Sequence, residues 1–93
     1  MTDLLTEPEI QTHLASVPAW KRKGTEIIRL FTFADFKTAL RFVNQVAEIA
    51  EAANHHPDID IRWNKVWLSL STHSKGGLTK ADFTLARQID RLA

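Results

Sequence analysis

Hydrophobic positions along the chain follow two alternating rhythms. From Phe36 onward, Ala39, Leu40, Val43, Ala47 and Ala50 recur at three- and four-residue spacing, and Phe42, Val46 and Ile49 widen the stripe. A period near 3.6 predicts a long amphipathic helix, and Pro57 stops it at about Asn54. From Ile59 the period drops to two. Ile59, Ile61 and Trp63 alternate with Asp60 and Arg62; after a turn at Asn64-Lys65, Val66, Leu68 and Leu70 alternate with outward residues as far as Thr72. Such alternation predicts two strands of a hairpin, each with one apolar face. A second hairpin is predicted upstream, from Trp20 to Lys23 and from Glu26 to Phe31, around Gly24-Thr25.

One local device repeats three times. Thr6 with Glu9, Thr32 with Asp35, and Thr79 with Asp82 each set an acidic residue three positions after a threonine. The hydroxyl can accept a backbone N–H of the first turn while the carboxylate reaches back to the cap, and large apolar residues flank each pair as a staple. These pairs predict helices over about 7–16, from the Thr32 cap to Asn54, and from Lys80 to the C-terminus. The order helix, two strands, helix, two strands, helix predicts an α+β class: a four-stranded antiparallel sheet with three helices on one face, in one domain spanning residues 1–93.

Composition narrows what such a domain does. The chain has 93 residues, no cysteine, and twelve basic against eleven acidic side chains. Without cysteine there is no disulfide scaffold, thiolate nucleophile or Cys-based metal centre. A formal charge of +1 argues against a nucleic-acid partner, and no apolar run approaches the ~20 residues of a membrane span. The acidic start MTDLLTEPEI differs from a signal peptide, so a cytoplasmic location is expected. A core this small makes oligomerisation a natural supplement, with the exposed side of the long helix, the sheet edges and outward Trp67 as candidate contacts.

What remains is histidine. Three of the four lie at His55, His56 and His73. Glu51 and His55 are four apart, so on a continuous helix they share a face and the carboxylate can fix the imidazole tautomer. His56-Pro57 aims a second imidazole from a rigid turn. An antiparallel hairpin returns His73 to the same mouth, with Trp63 as the expected aromatic neighbour. Imidazole titrates near neutral pH, so proton transfer is the natural chemistry. Plainer roles compete: His55 as a partner of the helix dipole, Glu51 as a solvated charge, Asp82 as a helix cap, Trp63 as packing, His13 as a surface residue. Glu51, His55 and His73 also form a conceivable metal-ligand set.

Read together, Glu51, His55-His56-Pro57, Trp63, His73 and Asp82 resemble the motif of the pterin-4a-carbinolamine dehydratase family, also described as dimerisation cofactors of a homeodomain transcription factor. Every spacing of that motif is met, and the order of elements also matches the family's fold. The resemblance implies a hydro-lyase that removes water from a 4a-hydroxytetrahydropterin to give quinonoid dihydropterin, as in tetrahydrobiopterin recycling. It implies His55 and His73 as an acid–base pair and His56 as both catalytic and pterin-binding. Glu51, Pro57, Trp63 and Asp82 are implied to bind or shape the pterin site. No metal or organic cofactor is implied, since nothing is oxidised. Implied partners are the pterin, further copies of the chain in a homodimer or homotetramer, and an aromatic amino acid hydroxylase as a pathway partner. The alternative is a non-catalytic interaction module of the coactivator or assembly-factor type.

Overall fold

The structure, a computed structural model, describes residues 3–93. Met1 and Thr2, which open the acidic N-terminal stretch and the domain range read from sequence, lie outside them. The elements are α1 (Glu7–Ala15), β1 (Lys21–Lys23), β2 (Glu26–Thr32), α2 (Phe36–Ala53), β3 (Asp58–Arg62), β4 (Lys65–Leu70), a short 3-10 turn (His73–Lys75) and α3 (Lys80–Asp90). All strand pairs are antiparallel, in the spatial order β1-β2-β4-β3. The predicted α+β class and element order therefore hold.

The registers explain the two faces of the sheet. Ile27, Arg29 and Phe31 lie opposite Leu70, Leu68 and Val66, and Leu68 and Val66 in turn lie opposite Ile59 and Ile61 on β3. Directly opposed residues share a face, and this one meets the helices. Buried against it are Ala39, Phe42, Val46 and Ala50 of α2 and Phe83, Leu85, Ala86 and Ile89 of α3. Trp20, Phe31, Phe42 and Phe33 form a run of aromatic contacts through this layer, with centroids 4.7–6.2 Å apart. The other face carries Ile28, Leu30, Trp67 and Ser69, which line open surface hollows among the described residues.

Three expectations shift. Asp35, not Thr32, caps α2: its side chain accepts the Thr38 N–H at 2.8 Å. Thr32 is held in β2 opposite Lys65, so its backbone belongs to the ladder and the helix begins three residues later. The buried stripe of α2 is narrower than its apolar arc, because Phe36 and Leu40 remain exposed. The β3–β4 turn falls at Trp63-Asn64, one residue earlier than alternation suggests. Asn64 is pinned there, since its backbone carbonyl accepts the Phe33 N–H and its side-chain amide donates to the Phe33 carbonyl, both at 2.9 Å. Trp63 thereby adopts φ 55, in the left-handed region, rare for a bulky residue.

Candidate active site

The site starts where α2 stops. Asn54 closes the helix in the left-handed conformation, and the His55 N–H returns to the Ala50 carbonyl at 3.1 Å. Asparagine is one of the few residues other than glycine that adopts this conformation readily. The reversal takes His55 off the helical register, and Pro57 leads the chain into β3. The expected Glu51–His55 contact does not form. Glu51 instead pairs with His56, at an exposed position.

His55 faces a different carboxylate. Its Nε2 lies 2.6 Å from Asp82 Oδ1. Asp82 is 0% exposed, and its Oδ2 accepts the Thr79 N–H and the Thr72 hydroxyl, each at 2.9 Å. Three donors and the N-terminal end of α3 thus converge on one buried carboxylate and satisfy its acceptor oxygens. The bond to Thr79 N–H also completes a capping box, so the capping role read from sequence is real but is only half of what Asp82 does. Both Asp82 oxygens are thus engaged within the chain, and the residue has no exposed surface.

The β3–β4 register explains why these groups meet. Asp58 lies opposite Ser69; continued three residues beyond, the same register sets His55 opposite Thr72. His73 follows immediately, exposed at the start of the 3-10 turn. Its imidazole makes no hydrogen bond among the described residues, so the strand end presents it free. His55, by contrast, is held at Nε2, which in the neutral ring carries the proton and leaves a lone pair on Nδ1. A restrained imidazole and an unrestrained one are suited to accepting and donating a proton without a covalent intermediate.

Trp63 does not join them. It stands at the far turn of the β3–β4 hairpin, 68% exposed; five residues at about 3.3 Å each separate it from Asp58, roughly 17 Å along the strand. The expectation of an aromatic neighbour for the histidines within the chain is corrected by the register. Nor is the set Glu51, His55 and His73 assembled: among the described residues no three His, Asp or Glu side chains are grouped to hold a metal ion. Two participants escaped the sequence reading. Thr79 was legible only as a cap, and Thr72 carried no signal beyond standing before His73. His13, expected at the surface, is half-buried and stacks on Phe83 at 5.1 Å.

The chain is similar to known proteins over nearly its whole length. The family described as Pterin 4 alpha carbinolamine dehydratase matches residues 3–92. A protein from Roseiflexus castenholzii is 54% identical over 99% of both chains, and one from Acidobacterium capsulatum is 56% identical over 95% of this chain and 96% of its own. Both are provisionally named pterin-4-alpha-carbinolamine dehydratases. A crystal structure from Brucella melitensis, described as a transcriptional coactivator/pterin dehydratase, superposes with a TM-score of 0.94 at 36% identity, covering 98% of this chain and 99% of that one. A pterin dehydratase-like protein described as a RuBisCO assembly factor of the alpha-carboxysome shares the fold, with a TM-score of 0.65 at 23% identity over 80% and 86% of the two chains. Family match, relatives and shared architecture lead to one assignment: the chain belongs to the pterin-4a-carbinolamine dehydratase family.

Proposed function

We propose that the protein is a 4a-hydroxytetrahydropterin dehydratase that works by histidine acid–base catalysis, in the recycling of tetrahydrobiopterin or a related pterin. The observation that carries this reading is the buried Asp82 carboxylate holding His55 beside the strand end that presents His73. Loss of water needs two proton movements. The hydroxyl on C4a leaves as water after taking a proton from an imidazolium. A neutral imidazole takes the proton from N5, and the N5–H electron pair becomes the new C4a=N5 double bond. His55 and His73 supply the pair, while His56, Glu51 and Pro57 contact the pterin. The test is decay of freshly generated 4a-hydroxytetrahydropterin with wild type, His55→Ala and His73→Ala. Each substitution should slow turnover about a hundred-fold or more; wild-type rates in both would refute the assignment.

A second reading, a protein-interaction module, is favoured by the uncovered apolar stripe of α2, where Phe36 and Leu40 are exposed. The first occupant of that stripe is a second copy of the chain. Lys37 and Arg41 lie on the first half of α2 and Glu48 and Glu51 on the second, so two antiparallel α2 helices set basic against acidic ends, giving a homodimer or, with a further surface, a homotetramer. Leu40→Glu should lower the mass seen by light scattering, and an unchanged mass would exclude this face. Purified protein without dehydratase activity that retains a partner from its own cell extract would favour the interaction reading. A hydroxylase that generates the carbinolamine is the pathway partner expected of the catalytic one.

A further inference from the structure

Thr72 does something that neither helix caps nor strand pairing requires. Its backbone closes the loop after β4 by bonding to Gly77, and its side chain caps no helix. The hydroxyl instead lies 2.9 Å from Asp82 Oδ2 and 2.8 Å from Thr79 Oγ1. Thr79 Oγ1 already accepts the Ala81 N–H at 3.2 Å, so its own proton is available to point at Thr72. The Thr72 proton then goes to Asp82, forming a chain from hydroxyl to hydroxyl to carboxylate in which each bond polarises the next.

The torsion that turns a carboxylate is soft, with broad wells. What fixes the Asp82 plane is therefore its set of donors. The Thr79 N–H alone defines one oxygen loosely; a second donor on the same oxygen locks the plane and sends Oδ1 to His55. We propose that Thr72 is a positioning residue for His55: its hydroxyl orients the Asp82 carboxylate and so fixes the imidazole with its proton on Nε2 and its lone pair on Nδ1. Because Thr72 immediately precedes His73, one residue sets the orientation of the first imidazole and the starting point of the second. The inference rests on reading the two histidines as the acid–base pair.

The experiment reads the imidazoles directly. In uniformly 15N-labelled protein near pH 8, long-range 15N–1H correlation should show wild-type His55 as the Nε2–H tautomer. Thr72→Val keeps the branched shape and removes the hydroxyl. It should give a mixture of tautomers at His55 and lower kcat on the order of ten- to a hundred-fold with little change in KM. Thr72→Ser, which restores the hydroxyl, should restore both. A wild-type His55 in the Nδ1–H form would overturn the proposal without any variant. So would Thr72→Val with an unchanged tautomer, or a folded Thr72→Ser that fails to recover it. Dehydratase inactivity of the wild type would refute the functional reading alone, since the tautomer measurement does not depend on turnover.

Discussion

His55 and His56 are consecutive, each has a carboxylate partner, and the two pairs behave as opposites. His55 reaches across 27 residues of sequence to Asp82, with 16% of its side chain exposed and its partner fully enclosed. His56 folds back over five residues to Glu51, with 56% and 76% of the side chains exposed. In the first pair the low local dielectric strengthens the interaction, and two further donors hold the acceptor in place. In the second, water and salt screen the charges, and such pairs contribute about 0–1 kcal/mol. The fold thus assigns one imidazole a fixed orientation and leaves its neighbour at the surface, paired with an exposed carboxylate. Adjacency in sequence says nothing about this difference; burial of the partner decides it.

The comparison breaks most visibly at the carboxylates. Asp82→Ala leaves the Thr79 N–H, the Thr72 hydroxyl and His55 Nε2 without their acceptor. Buried donors without partners cost about 1–3 kcal/mol each, so a loss of roughly 3 kcal/mol is expected, with some relief from water. For a chain this size, that lowers Tm by on the order of 12–24 °C. Glu51→Ala should move Tm by only a few degrees. Thermal melts of both variants check this, and an Asp82→Ala protein that melts within two or three degrees of wild type would show that the buried pair is not the stronger one.

Next in size is catalysis. His55→Gln retains polarity but loses the titrating ring, and turnover should fall about a hundred- to ten-thousand-fold. His56→Gln should act mainly on KM, by several-fold, because its imidazole is exposed and held only by an exposed carboxylate. Steady-state kinetics on the carbinolamine separate the two. Equal losses of kcat in both variants would erase the distinction drawn between the neighbours.

How far the sequence alone discloses this arrangement depends on the range of the interactions. Thr6 with Glu9 and Thr79 with Asp82 are legible because a capping box is complete within four residues. The same layout at Thr32 misleads, because Thr32 is claimed by pairing with Lys65, a partner more than thirty residues away. Period-two alternation finds both strands of the β3–β4 hairpin but misplaces the turn, where Asn64 bonds to the distant Phe33 and Trp63 takes a left-handed backbone. In the candidate site, the histidines and Asp82 stand out by spacing, but their pairing does not. The four-residue rule joins Glu51 to His55 only on a continuous helix, and one left-handed residue at Asn54 transfers that contact to His56. Thr72 is invisible in sequence because its hydroxyl acts through a tertiary contact.

The smallest effect extends the same contrast to acid. Glu9 and Asp35 are exposed carboxylates at helix starts. The Thr6 backbone N–H, with its hydroxyl, holds the Glu9 carboxyl below its ordinary value of 4.5, and bonds to Thr38 hold Asp35 below 3.8. Glu7 is lowered as well, chiefly by its hydrogen bonds to Arg22. A carboxylate whose value is depressed by folding contributes stability that is fully present above the unfolded value and is lost as pH falls through the folded one. Stability from these three groups should therefore be constant from neutrality down to about pH 5 and decline below the 4.5 to 3.8 range. Removing two of them by Glu9→Ala and Asp35→Ala should lower the melting temperature slightly at pH 7 and make the acid decline shallower, because the variants have less left to lose. Melting curves from pH 7 to pH 3 measure both. An acid limb as steep in the double variant as in wild type would move the origin of acid sensitivity away from the exposed helix starts.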